Sequence, residues 1–127
     1  MIANDLMAKA MQAIASARVL HDVGDADGAC NRAYYAMFDS VRAVLAATAP
    51  DTPATKTHKG IHVLFHDRLV RTGQVPEMIG RFLKRAETVR YAADYSGETV
   101  GLEIAHEMID QAETFVAAMK SLLDEQA

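Results

Sequence analysis

The stretch Asn31-Arg32-Ala33-Tyr34-Tyr35-Ala36-Met37-Phe38 decides how this chain is read. It lies in a longer run where Tyr34, Phe38, Val41 and Leu45 recur at helical spacing and make one apolar stripe. Beside that stripe, Arg32, Tyr35, Asp39 and Arg42 follow i, i+3, i+7, i+10 spacing and share a second face. The helix therefore has one face for packing and a neighbouring face that carries chemistry. Two further segments set charged or ring-bearing groups into amphipathic helix: Thr57-His58-Lys59-Gly60 and Arg90-Tyr91-Ala92-Ala93-Asp94-Tyr95.

Working outward, the same periodicity predicts five helical stretches. The first runs from about Asn4 to His21, with Leu6, Ala10, Ala13, Ile14, Ala17 and Leu20 on one face, and stops at Gly24. The second follows the Asp25–Gly28 cluster, whose carboxylates can cap free N–H groups, and extends to about Thr48. Residues 49–54, with two prolines, read as a loop. A third helix spans about Thr57 to Thr72 and ends at Gly73 as a C-cap. Pro76 suits the opening of a fourth helix, which reaches about Tyr95 before Ser96-Gly97 breaks it. The last runs from about Glu98 to Leu123, with Leu102, Ile104, Ala105, Met108, Ile109, Ala112, Val116 and Met119 on a wide apolar face. No stretch alternates with period two, so no sheet is predicted. Short connections between long helices predict an all-α, up-and-down bundle of four to five helices.

At 127 residues the chain reads as a single domain, 1–127, able to bury one core without disulfides or metal. Its one cysteine, Cys30, excludes an internal disulfide framework and points to a reducing, cytoplasmic setting. No run approaches the roughly 18 apolar residues of a membrane span, and no signal-peptide plan is visible at the start. No membrane partner and no cofactor are expected. The net charge of −4 conceals an uneven distribution. Residues 55–90 carry 8 basic and 3 acidic side chains, whereas 91–127 carry 1 and 8. The basic middle either meets phosphates or pairs with the acidic last helix.

Candidate chemistry gathers on three helices. An Arg beside a Tyr, as in Arg32 and Tyr35, can hold phosphate by forked hydrogen bonds while the ring supports a base. Arg90 and Asp94, four residues apart, can bridge along one face, with Tyr91 and Tyr95 at the same spacing beside them. His58 and Lys59 open the third helix, where free N–H groups and the dipole favour an anion. His58, His62 and His66 form an i, i+4, i+8 ladder. Three imidazoles spread over more than two turns do not reach one ion, so no metal site is expected. An equally physical account of these residues is an internal polar network that fixes helix register.

The three segments, in their order and separation, resemble the HEPN domain family, in its small stand-alone prokaryotic branch. That resemblance implies a helical bundle that pairs as a homodimer. It also implies metal-independent ribonuclease activity through an Arg followed, after four to six residues, by a His. None of Arg18, Arg32, Arg42, Arg68, Arg71, Arg81, Arg85 or Arg90 has a His at that distance; only Lys56–His62 and Lys59–His66 imitate it. Lysine lacks the planar fork of arginine. The resemblance further implies a nucleotidyltransferase partner in a toxin–antitoxin or defence module.

These strands combine into one expectation. A polar cleft facing RNA or a nucleotide would use His58, Arg32 and Arg90 as its catalytic groups, with Tyr35, Lys59, Asp94 and Tyr95 contacting the ligand. The alternative is a non-catalytic helical interaction protein in which the same residues brace the bundle.

Overall fold

The computed structural model describes residues 2–48 and 57–126, and they fold into five α-helices with no strand among them. In chain order these are α1 (Ile2–Asp22), α2 (Ala26–Thr48), α3 (His58–Phe65), α4 (Glu77–Tyr95) and α5 (Leu102–Glu125). A π-helical turn, His66–Val70, continues α3. The loop expected over 49–54, and Lys56 with it, lies outside the described residues. No described helix is long and apolar enough to cross a membrane.

The helix α2 is the hub, packing against α1, α3, α4 and α5. Its stripe residues Tyr34, Phe38, Val41 and Leu45 are all buried. The α1 face is made of Met7, Ala10, Ala13 and Ala17, so little side-chain bulk separates α1 from its neighbours. From α5 come Met108, Ile109, Phe115 and Met119, and the Phe115 ring meets that of Phe65 at 5.5 Å. Tyr34 and Phe115 are the largest fully buried side chains. Ser40 is the one buried polar residue among those described, and its hydroxyl donates to the Met37 carbonyl at 2.7 Å. Such a bond removes the cost of an unpaired buried polar group. Cys30 is buried as well, and burial aided by nearby Asp27 pushes its thiol up to about 11, so it stays protonated.

Local chemistry sets the helix ends. At the α1–α2 corner, Gly24 takes a φ of 87°, a left-handed value that a glycine adopts without strain. The Asp25 N–H then bonds the Leu20 carbonyl at 2.8 Å and Gly24 N–H the His21 carbonyl at 3.0 Å, which closes the end of α1. The Asp25 carboxylate in turn accepts from the Gly28 N–H at 2.8 Å and caps α2.

Three boundaries differ from the sequence expectation: α2 begins at Ala26, inside the Asp25–Gly28 cluster rather than after it. The third helix does not run evenly to Thr72: the Arg71 N–H reaches back five residues to the His66 carbonyl at 2.8 Å, and the turn widens. The last helix starts at Leu102 rather than Glu98. Residues 98–101 include two β-branched side chains and a glycine, poor helix formers. The Val100 N–H is also committed to Asp27 of α2 at 2.7 Å. Leu102 and Ile104, expected on the apolar face of α5, are consequently exposed near its start.

Candidate functional site

Tyr34 organises the polar centre. The whole side chain is buried, and its hydroxyl lies between α2 and α3, 3.0 Å from His58 Nδ1 and 3.0 Å from His62 Nε2. His62 Nε2 also lies 3.2 Å from Glu87 Oε2 on α4. One tyrosine thus links α2, α3 and α4.

Proton positions along this chain follow from its chemistry. A nitrogen facing a carboxylate carries the proton, so we assign Nε2–H to His62. The Tyr34 oxygen accepts there and turns its own proton to His58 Nδ1. His58 then keeps its ring proton on Nε2, the nitrogen that Tyr34 does not engage. Burial, with the negative charge of Glu87 adding to it, pushes the Tyr34 hydroxyl well above the usual tyrosine range, so it holds its proton.

Around this chain sits an aromatic box. The His58 ring stacks on Phe38 at 4.4 Å and meets Tyr35 edge-on at 5.7 Å. At the helix start, Thr57 caps α3 by accepting from the Gly60 N–H at 3.0 Å, which fixes the backbone carrying His58. The Arg90 guanidinium lies over the Tyr34 ring, 5.0 Å from its centre, and 5.8 Å from that of Tyr35. Ring faces attract a cation at this range. Arg90 also donates to Asp94 Oδ2 at 3.3 Å, an oxygen that Asn31 approaches at 3.4 Å.

The seven residues singled out from sequence are therefore distributed unevenly. His58, Arg90 and Tyr35 share the aromatic box, and Asp94 holds Arg90 from the side. Arg32 stands at its edge, 5.9 Å from the Tyr35 ring centre, with no carboxylate partner among the described residues. Tyr95 is 70% exposed and meets the Tyr91 ring at 4.6 Å with the planes tilted by 45°, beyond the box. Lys59 faces away, into a groove between α3 and α4. Sequence reasoning assigned Tyr34 and Phe38 to packing alone and did not single out Glu87. A buried tyrosine hydroxyl needs a partner, but which side chains supply it was not legible from spacing alone.

The basic middle does not pair wholesale with α5. Arg85 bonds Glu107 there at 2.7 Å, which holds that carboxyl below the usual range. Arg71 and Lys84 pair locally with Asp67 and Glu87, and Lys59 and Arg81 have no carboxylate partner among the described residues. Arg18 of α1, in contrast, pairs with Asp110 and Glu113 of α5.

The His62 environment makes stability depend on pH. Burial lowers its pKa, with Lys84 and His58 adding to that and Glu87 opposing it. Below the ordinary histidine value of about 6.5, the unfolded chain takes up a proton that folded His62 refuses. Stability is therefore complete above that value and falls as the pH drops beneath it. The thermal midpoint should decline from pH 7 toward pH 5.5, and His62→Gln should flatten the decline. Equal slopes in both proteins would refute this.

A five-helix bundle with a histidine–tyrosine–arginine centre defines a class of small all-α proteins with a polar site on α2, α3 and α4. The chain belongs to the HEPN family: the HEPN domain matches residues 3–122. It is 40% identical over 93 residues to the UPF0332 protein glr0978 of Gloeobacter violaceus, covering 73% of this chain and 71% of that one. A Methanocaldococcus jannaschii protein named "Putative toxin MJ0605" is 33% identical over 112 residues, covering 88% and 81%. A UPF0332 protein of Thermotoga maritima is 34% identical over 99 residues, covering 76% and 72%.

Proposed function

We propose that this HEPN protein is toxin-like and presents RNA, or a nucleotide, to the face where α2, α3 and α4 meet. One observation carries the reading: Tyr34 brings an arginine and a histidine together in space that the sequence never places at the family's spacing. Its ring supports Arg90 and its hydroxyl orients His58. In this reading Arg90 and Arg32 meet phosphate oxygens, and the His58 Nε2–H donates to the same group. The Tyr35 and Tyr95 ring faces stack bases, Asp94 steadies Arg90, and Lys59 strengthens the approach of a polyanion.

The reading extends to a second copy of the chain and a nucleotidyltransferase partner within a cytoplasmic toxin–antitoxin or defence module. Family membership and the name of the Methanocaldococcus relative support that extension.

A competing account is a purely structural brace. A brace would satisfy its donors, yet Arg90 Nε is buried with no hydrogen-bond partner among the described residues. Ring faces and one bond to Asp94 hold the guanidinium, and the donors offered to a ligand are its terminal nitrogens.

The test is cleavage and binding of a labelled single-stranded RNA by pure protein in EDTA. Activity should survive chelation and fall by about 10²-fold or more in His58→Ala and Arg90→Ala. Equal behaviour of all three proteins, or no binding and no cleavage by any, ends this assignment.

A further inference from the structure

A groove of about 900 Å³ runs between α3, its π turn and the first half of α4, and its lining stops at Glu87, one helical turn before Arg90. Its floor is apolar, built from Phe65, Val70 and Leu83, which are all buried. Gly80 makes the closed end possible, since a Cβ there would stand 3.0 Å from a Val70 methyl. With no side chain at Gly80, α4 comes down on the π turn.

The charge left unpaired over this floor is chiefly positive. Lys59 on α3 and Arg81 on α4 line opposite walls, are exposed, and have no carboxylate partner among the described residues. The acids nearby are mostly engaged. Asp67 is bonded by Arg71 at 2.9 Å, and Glu87 is shared between Lys84 and His62 at 3.3 and 3.2 Å. Glu77 sits at the first residue of α4, where the helix N-terminus favours a carboxylate. Apolar walls with a few convergent polar groups are the usual make-up of a small-molecule site.

The groove also touches the proton chain from behind. His62 and Glu87 line it, whereas His58 faces the aromatic box. An anion that draws Lys84 away leaves the Glu87 carboxylate more fully on His62 Nε2–H. The Tyr34 oxygen then receives less of that donor, and the bond from Tyr34 to His58 Nδ1 changes with it.

We propose that this groove is a second ligand site, for a small organic anion whose charged head meets Lys59, Arg81 and Lys84 and whose apolar body lies on Val63 and Leu83. Its occupancy is felt at His58 through Glu87, His62 and Tyr34. Binding stands independently of any action on RNA. Only the consequence at His58 bears on the proposed function, so the experiment uses no RNA.

Phenyl phosphate and benzoate, titrated separately into ¹⁵N-labelled protein, distinguish a phosphate from a carboxylate head. At least one should give saturable amide shifts along residues 59–66 and 80–87, with a Kd of about 1 mM or tighter. Arg81→Glu and Lys59→Glu, both on exposed positions, should each weaken it about tenfold, and Arg90→Ala should leave it unchanged. The His58 imidazole nitrogens should shift on saturation in the parent protein and stay still in Glu87→Gln, which still binds. Failure of both probes to saturate, undiminished binding in both charge reversals, or loss of binding in Arg90→Ala overturns the site. A bound probe that leaves the His58 nitrogens unmoved, or moves them equally in Glu87→Gln, overturns the coupling.

Discussion

Replacing Tyr34 with Ala should destabilise the protein by about 3–5 kcal/mol, the range for removing a large buried ring, and shift its urea midpoint accordingly. The ring is fully buried on the hub helix, in contact with Phe38 and beneath Arg90, so the bundle cannot collapse around the gap without moving α3 or α4. Tyr34→Phe separates the ring from its hydroxyl. It keeps the packing but strips the shared partner from His58 Nδ1 and His62 Nε2. Because both imidazoles are only half-buried and can turn to water, the loss should sit near 1 kcal/mol, the low end for an orphaned polar group. The same variant should let His58 sample both ring tautomers, visible in its nitrogen shifts. Wild-type stability in Tyr34→Ala, or an unchanged His58 spectrum in Tyr34→Phe, would contradict the central role given to this residue.

How far this centre was legible in the sequence depends on the residue. The spacing of Tyr34, Phe38, Val41 and Leu45 named the buried stripe of α2, Gly24 marked the end of α1, and the Asp25 carboxylate supplied the expected cap, although α2 starts at Ala26 inside the Asp25–Gly28 cluster rather than after it. These are local signals, set by a few neighbouring residues. Leu102 and Ile104 looked like core because periodicity does not say where a helix begins. The start of α5 is governed by a bond from Val100 to Asp27, 73 residues away. The π turn was hidden for a similar reason: nothing in His66–Val70 marks a widened turn, and the segment packs against α4, far along the chain from any local cue. Among the candidate site residues, composition pointed to His58 and Arg90 separately. Their common support was invisible because Tyr34 satisfies the packing pattern so well that no polar role was sought for it. A residue with an apolar body and a polar tip can serve two layers at once.

Charge followed the same logic. A net surplus over residues 55–90 suggested either phosphate contact or pairing with α5, but the fold divides the surplus among three uses. Arg85 braces α5, Arg71 and Lys84 neutralise local acids, and Arg90 is drawn over aromatic rings beside Asp94. Among the described residues of that segment, what remains unpaired is small and located: Lys59 and Arg81 across the groove. Surface pairs contribute little to stability in water, typically under about 1 kcal/mol. The unpaired cations are therefore more informative about ligands than the paired ones are about folding.

The decisive substitution is Arg90→Lys, because it preserves charge and changes only shape. The Arg90 side chain is 14% exposed, sits 5.0 and 5.8 Å from the centres of two tyrosine rings and meets Asp94 at 3.3 Å. A planar guanidinium can stack on those rings and still direct two parallel N–H groups at a phosphate, whereas an ammonium is a strongly hydrated point charge that does neither. If Arg90 serves RNA, Lys should lower cleavage by about 10²-fold, in line with the loss of one oriented donor in the transition state, while the fold persists. If Arg90 is a brace toward Asp94, Lys retains the ion pair, the RNA signal is unaffected, and any effect appears in the thermal midpoint alone. Asp94→Asn supplies the complementary arm. It frees Arg90 from its lateral restraint, so a positioning role predicts a smaller loss of RNA activity than Arg90→Lys, with RNA binding largely kept. A brace role predicts that Asp94→Asn lowers the midpoint at least as much as Arg90→Lys does. Full RNA activity in Arg90→Lys together with that order of midpoints would transfer this arginine from the ligand to the scaffold.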